Sequence, residues 1–254
     1  MSILTLLTDF GIKDGNVGVM KGVIWGIAPE VQIADLSHSI QPQNVLEASL
    51  VLLRAVPYFP DGTVHVVVVD PGVGTARRPM AAQVGTQRFV LPDNGVLSRV
   101  LDRAGRLGLP VKLVNLTNPD FWLPEVSHVF HGRDIFAPVG AHLANGVPLT
   151  QMGESMDDPV RLEIPIPTKI PHGLRGKIIH IDHFGNLSTS IYQEQLGQPQ
   201  KVKTRLREVE IEGMVKTFGE RPAGELVVLF GSTGNLIISV VNGNAAERLG
   251  AKIL

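Results

Sequence analysis

The sequence contains no cysteine among its 254 residues. This absence excludes disulfide bonds, thiolate nucleophiles, iron–sulfur clusters and cysteine-ligated zinc, and nothing in the composition indicates an oxidising compartment. Basic residues are not in excess either, because 23 Lys and Arg residues stand against 24 Asp and Glu residues. A protein that binds nucleic acid normally carries a surplus of Lys and Arg for the phosphates. We therefore expect no nucleic-acid partner.

Long hydrophobic runs are also missing. The most apolar strand-like run, Val64 to Val69, is interrupted by His65 and is far shorter than the ~20 residues that span a bilayer. Residues 1–9 lack the basic start and the longer apolar segment of a signal peptide. These absences predict a cytoplasmic protein that has no membrane partner.

The composition that remains is that of an ordinary globular protein, with 44% hydrophobic and 19% charged residues. In the first part of the chain, strand-like apolar runs alternate with apolar residues at helical spacing. The pattern predicts strands at 3–8, 31–36, 63–69, 80–84, 88–91 and 111–116, and helices at 16–27, 44–56, 95–104 and 134–145. Such alternation predicts an α/β sandwich with a mainly parallel central sheet.

The character of the sequence changes after residue 156. Prolines at 159, 165, 167 and 171 limit helices and central strands, so the segment is predicted to be an extended linker. Beyond it, strand-like runs at 177–182, 203–213, 225–230 and 235–241 predict a small all-β domain, a barrel. The expected division is an N-terminal α/β domain over 1–160, a linker over 161–176 and a C-terminal domain over 177–254.

Polar residues directly follow several of the predicted strands. Asp9 follows the first strand, and Asp70 follows the long buried strand, with Arg77 seven positions later. Asp182 and Asn186 follow the first strand of the C-terminal domain. Ligands of open α/β sheets usually bind outside the carboxyl ends of the strands. These positions are therefore candidates for a functional site.

Each of these clusters also has a purely structural interpretation. Asp9 would suit a turn or a helix cap, the segment 70–75 a tight turn after a strand, and Asp182 with Asn186 a β-turn. The segment 70–75 lacks the Gly-Lys-Ser/Thr ending of a phosphate-binding loop, which argues against a nucleoside-triphosphate site. Nevertheless, an aspartate at the end of a buried strand with a nearby arginine is a good catalytic pair.

Another polar group precedes the helix predicted at 134–145. His131 could cap that helix or lie in the core, and Arg133 with Asp134 is predicted to form an ion pair near the helix start. His128 with His131, or His180 with Asp182 and His183, could bind a metal, but no tight ligand signature such as HExxH is present. We expect no metal. Three aromatic residues are more often core than stacking platforms: Trp122, Phe130 and Phe184.

The clusters together form an ordered set of motifs that spans the chain. They are TDFG (8–11), DGNVGVMKGVI (14–24), VDPGVGTARRP (69–79), PDNG (92–95), FHGRDIFAP (130–138), IDHFGNLSTSI (181–191) and GSTGNLIISVVNGNAAERLG (231–250). In order and spacing, this set resembles the S-adenosyl-L-methionine (SAM) hydroxide adenosyltransferases. That family belongs to a superfamily that also contains the SAM-dependent fluorinase and chlorinases.

The resemblance implies an enzyme that hydrolyses SAM to adenosine and methionine, by attack of an activated water on C5′ of the ribose. It implies a homotrimer, with each site between the N-terminal domain of one subunit and the C-terminal domain of its neighbour. The Asp-Arg-His set of the hydrolytic members falls on Asp70, Arg77 and His131. No cofactor is expected, because a sulfonium already is a good leaving group.

The resemblance also implies contacts to the substrate. Asp9 would hold the ribose hydroxyls, Asn186 would contact the adenine, and Asp182 and Ser232 would hold the amino-acid group of methionine. Four further positions complete the expected site: Phe130 and Phe184 against the nucleoside, Val240 with its backbone at the adenine, and Ile237, where many relatives have a glutamate.

Alternatives to hydrolysis remain open at this point. A chlorinase of the same superfamily would attack C5′ with a halide, but the Asp70 carboxylate would repel that anion, and halogenating relatives carry a tyrosine or similar residue there. A sensor that binds SAM or adenosine without cleaving it would use the same pocket, although an intact Asp-Arg-His set would then be unexplained. A metal-dependent hydrolase should lose its activity in chelator.

Overall fold

The computed structural model describes residues 2–197 and 201–253. The chain divides into two compact units between Leu162 and Glu163. In the described part of the chain, no helix combines the length and the apolar character that a membrane crossing requires.

The N-terminal unit is built on one seven-stranded sheet with the strand order β2-β1-β3-β5-β4-β6-β7. Strands β1, β2, β3, β5 and β6 run in one direction, and β4 and β7 run in the opposite direction. The strands are β1 (Ile3–Thr8), β2 (Gln32–Ser37), β3 (Val64–Val68), β4 (Pro79–Val84), β5 (Gln87–Pro92), β6 (Val111–Asn115) and β7 (Glu154–Met156). The predicted α/β fold with a mainly parallel sheet is therefore confirmed. The short edge strand β7 is not among the predicted strands.

Four α-helices accompany this sheet, at Asn16–Ile27 (α1), Val45–Ala55 (α2), Ser98–Leu107 (α3) and Ala137–Ala144 (α4). Helix α1 has the predicted bounds. Helix α3 begins three residues later than its predicted start at 95, because Gly95 has a φ of +93° and closes a turn before the helix. The region predicted as one helix from 134 divides into a π-helical turn at Gly132–Phe136 and α4.

Alternate residues of each central strand reach opposite faces of the sheet, so the unit has two hydrophobic cores. Leu4 and Leu6 of β1 pack in the core with α1 and α4, whereas Leu7 packs in the core with α2 and α3. Strand β3 is buried along its whole length, as expected for a strand covered on both faces. Gly140 brings α4 against β3, since a Cβ there would lie 2.5 Å from Val66 Cγ2. This packing fixes the helix that follows the His131 segment.

The described residues of the C-terminal unit are mostly β, as predicted, and their strands form three antiparallel sheets. One sheet has the order β10-β11-β15-β14, and two hairpins, β8–β9 and β12–β13, accompany it. The strands are β8 (Thr168–Ile170), β9 (Gly173–Arg175), β10 (Ile178–Ile181), β11 (Leu187–Tyr192), β12 (Lys203–Leu206), β13 (Val209–Glu212), β14 (Leu226–Phe230) and β15 (Asn235–Val240). Outside residues 198–200 and 254, the unit also contains two short helices, α5 (Gln193–Leu196) and α6 (Ala245–Leu249).

Two sequence predictions for this region are wrong in detail. The strand predicted at 203–213 is a hairpin that turns at Arg207, which adopts a φ of +53°. The predicted linker 161–176 is not extended throughout, because it contains the hairpin β8–β9, with His172 at a φ of +65° in its turn. Pro171 and Gly173 flank His172 and do signal a turn there, whereas Leu206 to Val209 contain no residue that favours a turn or a positive φ.

Candidate active site

The ends of neighbouring parallel strands bring the N-terminal candidate residues to one edge of the sheet. Strands β1 and β3 pair in parallel with Thr8 opposite Val68. Asp9 and Asp70 therefore follow adjacent strands at the same edge. Strand β5, which pairs with β3 in parallel, ends there as well and is followed by Asp93 and Asn94.

Asp70 and Arg77 form a buried, two-point ion pair across the turn that joins them. Arg77 Nε donates to Asp70 Oδ1 at 3.1 Å, and Arg77 Nη2 donates to Asp70 Oδ2 at 2.5 Å. The side chains of Asp70 and Arg77 are only 5% and 6% exposed. A guanidinium fork that meets both carboxylate oxygens fixes orientation as well as distance. The pair thus forms a preorganised charged element at the strand end.

His131 joins this pair through its ring. Its Nδ1 lies 3.2 Å from Arg77 Nη2, and a guanidinium can only donate, so Nδ1 accepts and the proton of the neutral imidazole is on Nε2. The side chain does not cap the helical turn that follows it. The ring of Phe136 lies under the Arg77 guanidinium, with 5.3 Å from Cζ to the ring centroid. Arg77 Nη1 is buried and has no hydrogen-bond partner among the described residues.

The surroundings shift the pKa of both titratable members. Burial raises the pKa of the Asp70 carboxyl above its usual value, and the charges of Arg77 and His131 oppose that rise only in part. Burial and the nearby Arg77 charge lower the pKa of His131, against the attraction of Asp70 and Asp134. A carboxylate with a raised pKa is a stronger base, and the imidazole stays neutral at neutral pH.

The segment that precedes His131 is held by a buried aspartate. Asp134 is fully buried; its Oδ2 accepts from the backbone N–H of Ser127 at 2.8 Å, and its Oδ1 accepts from Arg133 Nε at 2.5 Å. The Arg133–Asp134 ion pair predicted from the sequence is thereby confirmed. Gly74 of the Asp70–Arg77 turn has a φ of +76°, and a Cβ there would lie 2.5 Å from the carbonyl oxygen of His128. The two segments that carry the site therefore pack directly together.

Asp9 and Phe130 belong to the same edge of the sheet. Asp9 Oδ2 accepts a hydrogen bond from the backbone N–H of Gln43 at 2.7 Å, and Gln43 adopts a φ of +66°. Phe130 packs edge-on against Phe10, with 5.6 Å between ring centroids, and the Arg133 guanidinium lies 5.2 Å from the centroid of the Phe130 ring. The side chain of Asp9 is thus fixed by the segment before α2, and Phe130 is half-buried.

The remaining candidates lie in the C-terminal unit, where three of them form one turn. Asp182 Oδ1 accepts from the backbone N–H groups of Phe184 and Asn186, each at 2.9 Å, and its Oδ2 accepts from Asn186 Nδ2 at 2.8 Å. The turn interpretation of Asp182 and Asn186 therefore describes their local geometry. The Phe184 side chain is 72% exposed, so it is not a core residue.

Three further candidates lie on or beside β15. Ser232 is exposed in the turn before the strand, Ile237 is half-buried within it, and Val240 is buried at its end. Ser232 and Ile237 are therefore accessible to a ligand. In residues 2–197 and 201–253, no group of three or more His, Asp or Glu side chains has a geometry that could hold a metal ion.

Several residues of this edge have no role in the sequence interpretation. Asn94 Nδ2 donates to the carbonyl oxygen of Val69 at 2.9 Å, and Arg78 Nη2 donates to Asp93 Oδ2 at 2.7 Å. The motif PDNG carries a partial signal for this arrangement, because it follows a predicted strand. The sequence gives no such signal at Gln43, because a glutamine rarely adopts the positive φ that it has here.

The fold and the site together define an α/β unit with a carboxylate–guanidinium–imidazole cluster at its strand ends, followed by a mostly β unit. Comparison with known families agrees with this division. Residues 4–153 match the SAM hydroxide adenosyltransferase N-terminal domain, and residues 176–254 match the C-terminal domain of the same family. The chain belongs to the SAM hydroxide adenosyltransferase family.

Relatives with curated names cover nearly the whole chain. An (R)-S-adenosyl-L-methionine hydrolase from Salinispora tropica is 40% identical over 249 residues, which cover 97% of this chain and 93% of the relative. The protein of the same name from Thermus thermophilus is 40% identical and covers 97% of this chain and 94% of the relative. A fluorinase from an Actinoplanes species is 29% identical, with 93% of this chain and 90% of the relative covered.

Solved structures show the same fold. A structure of an uncharacterized conserved protein from Thermotoga maritima has a TM-score of 0.90 and 38% identity, and it covers 98% of this chain and 97% of its own. A conserved hypothetical protein from Thermus thermophilus has a TM-score of 0.79 and 34% identity, with 100% of this chain and 97% of the other covered.

Proposed function

We propose that the protein hydrolyses SAM to adenosine and L-methionine. The observation that carries the proposal is the contact of the buried Asp70–Arg77 ion pair with the half-buried His131 at one edge of the sheet. Family membership and the two relatives named as hydrolases of (R)-S-adenosyl-L-methionine support the substrate. A sensor would bind SAM without any need for a buried base of raised pKa.

The chemistry needs one water molecule and no redox step. The water oxygen forms a bond to C5′ while the C5′–S bond breaks, and the electron pair of that bond stays on sulfur as neutral methionine. One proton of the water is released, and Asp70 is the carboxylate that accepts it, because its pKa lies above the usual value. Arg77 stays protonated and cannot act as a base.

Arg77 and His131 position the nucleophile in this proposal. Arg77 fixes the Asp70 carboxylate through Nε and Nη2, and Nη2 also contacts His131 Nδ1, so the base and the imidazole keep a fixed spacing beside the water. Holding the reacting atoms ~3–3.5 Å apart supplies ~7–11 kcal/mol of the barrier reduction.

The substrate contacts are proposed by motif. Asp9 holds the ribose hydroxyls with Oδ1, since Oδ2 accepts from Gln43, and Phe130 packs against the nucleoside. Asn186 contacts the adenine, while Asp182 and Ser232 hold the amino-acid group of methionine. Three residues complete the nucleoside side of the site: Phe184, Ile237 and Val240.

A homotrimer is part of the same proposal, with the C-terminal contacts supplied by a neighbouring subunit. We also propose that the enzyme needs no metal and acts in the cytoplasm. Light scattering after gel filtration should give a mass three times that of the 27.4 kDa chain. A monomer that is fully active would contradict the shared site.

The activity assay incubates the purified protein with SAM and separates the products by chromatography. We expect adenosine and methionine in equal amounts, many turnovers per subunit and no loss of rate in chelator. Parallel reactions with chloride or fluoride test the halogenase alternative, which the fluorinase relatives raise. A 5′-halo-5′-deoxyadenosine product would favour that alternative, and a stable complex without turnover would favour a sensor.

The pH dependence of turnover follows from the two shifted groups. Activity requires ionised Asp70 and neutral His131, so the rate is lost as the pH falls through their apparent pKa values and is flat above them. The acid limb should lie above the usual aspartate range, because burial raises the pKa of Asp70. Burial lowers the pKa of His131, so protonation of this residue should cause no separate fall in the rate near neutral pH. A rate that rises toward acid would contradict this assignment.

A further inference from the structure

The turn that carries Asp70 and Arg77 is held at both ends by two consecutive residues. At its start, Asn94 Nδ2 donates to the carbonyl oxygen of Val69, the residue before Asp70, at 2.9 Å. At its end, Arg78, the residue after Arg77, donates to Asp93 Oδ2 from Nε at 3.0 Å and from Nη2 at 2.7 Å. The Asp93–Asn94 pair thus bridges the turn from outside.

The Asp93 end of this bridge is buried and has further partners. The Asp93 side chain is 1% exposed, and its Oδ1 accepts from the backbone N–H of Val160 at 2.8 Å. The backbone of Asp93 also donates to the carbonyl of Arg78 at 2.9 Å. Arg78 Nη1 binds Asp158 Oδ1 at 2.8 Å on the exposed side. Arg78 therefore has a set of partners distinct from that of Arg77, although the two arginines are adjacent in the chain.

The hydrogen bonds inside the turn join residues that are close in sequence. Val73 N donates to Asp70 O at 3.2 Å, Thr75 N and Thr75 Oγ1 donate to Gly72 O at 3.1 and 2.7 Å, and Arg77 N donates to Thr75 Oγ1 at 3.3 Å. The bonds at the two ends therefore act together with the packing of Gly74 on His128 to determine where Asp70 and Arg77 lie relative to His131. A displacement of ~1 Å in a reacting group can reduce turnover by ~100-fold.

We propose that Asp93 and Asn94 are positioning residues for the reaction, which set the geometry of Asp70 and Arg77 by fixing Val69 and Arg78. This proposal rests on the proposed function. Neither residue contacts the reacting atoms in this account. The motif PDNG thus acts through the turn at 70–77.

The test compares Asn94→Ala with Asn118→Ala, a control with the same bonding pattern. Asn94 accepts from the backbone N–H of Val96 at 3.2 Å; Asn118 accepts from that of Asp120 at 3.1 Å and donates to the carbonyl of Gln151 at 2.9 Å. Each substitution removes one turn bond and one long-range amide-to-carbonyl bond. We expect Asn94→Ala to lower kcat by about 10- to 100-fold with KM changed less than about threefold, and Asn118→Ala to retain the wild-type values.

A pH readout separates positioning from a general loss of stability. Asp70 faces Arg77 and His131, and His131 in turn faces His128 and Asp134. When Arg77 moves away from Asp70, its positive charge offsets less of the pKa rise that burial causes in Asp70. The acid limb of kcat should therefore shift to higher pH in Asn94→Ala. A ¹³C NMR titration of the Asp70 carboxyl should show the same direction without substrate. Asp93→Asn should give both effects if Asn94→Ala does not fold.

The outcomes distinguish the two proposals. Wild-type kcat and an unshifted acid limb in folded Asn94→Ala and Asp93→Asn would overturn the positioning role while leaving SAM hydrolysis intact. A wild-type protein that does not cleave SAM would contradict the proposed function, and the positioning role for that reaction with it. Equal losses in Asn94→Ala and Asn118→Ala would also overturn the proposal, because they would reflect stability alone.

Discussion

Asp70→Asn is expected to lower kcat for SAM cleavage by about 10²- to 10⁴-fold, the range that a positioned general base contributes. The substitution keeps the shape of a side chain that is 5% exposed but removes the charge that accepts a proton from water. An amide also has only one oxygen for the two donors of Arg77, so the ion pair becomes a single bond. SAM affinity should change little, because Asp70 faces the nucleophile rather than the leaving group. Stopped assays for kcat and calorimetry for SAM affinity measure the two effects.

Asp61→Asn is a suitable control for this variant. Asp61 precedes β3 and accepts a hydrogen bond from Thr86 Oγ1 at 2.6 Å, whereas Asp70 follows the same strand. The control should keep the wild-type kcat. Equal turnover by Asp70→Asn and the wild type would remove Asp70 from the mechanism, and loss of SAM binding with unchanged kcat would assign it to substrate binding instead.

Arg77→Met is expected to lower kcat at neutral pH by about 10²- to 10³-fold, as removal of a preorganised charged donor does in other sites. Methionine retains much of the apolar stem of Arg77 but removes the guanidinium that lies over Phe136, and with it the charge that opposes the rise in the pKa of Asp70. Asp70 is then protonated to a higher pH. Part of the lost activity should therefore return as the pH is raised, which a profile of kcat against pH would show.

Arg161→Met is the matched control, since Arg161 forms an ion pair with Asp102 in the same unit and its side chain is 47% exposed. Such an exposed pair contributes little to stability, and the variant should keep the wild-type pH profile. A loss in Arg77→Met that is the same at every pH would contradict the electrostatic role of Arg77. The melting temperature of each variant verifies that it is folded.

The main elements of the N-terminal unit could be predicted because their patterns are strong. Helix α1 has apolar residues at helical spacing and ends at the expected residue, and the continuous apolar run of β3 is typical of a buried strand. Element ends were less predictable. The start of α3 depends on the backbone angle of Gly95, and the π-helical turn at Gly132–Phe136 has no signal in the spacing of apolar residues. The spacing of apolar residues along the chain predicts neither of these two boundaries.

The sequence predicted some features of the candidate site and not others. Asp70, Arg77 and His131 were predicted from motifs, and the structure places their side chains in contact. Their roles in catalysis remain proposals. The partners of Arg78 were not predictable, because two adjacent arginines look alike in sequence, and only the fold brings Asp93 to one of them and Asp70 to the other. Contacts between residues far apart in the chain depend on strand order, which a local pattern does not specify.

Turnover of SAM in H₂¹⁸O, followed by mass spectrometry of both products, tests the central claim most directly. The account predicts one ¹⁸O atom in the 5′-hydroxyl of adenosine and none in methionine, because the new bond joins a solvent oxygen to C5′. Adenosine without the label, label in methionine, or a 5′-halo nucleoside in place of adenosine would contradict attack by water at that carbon.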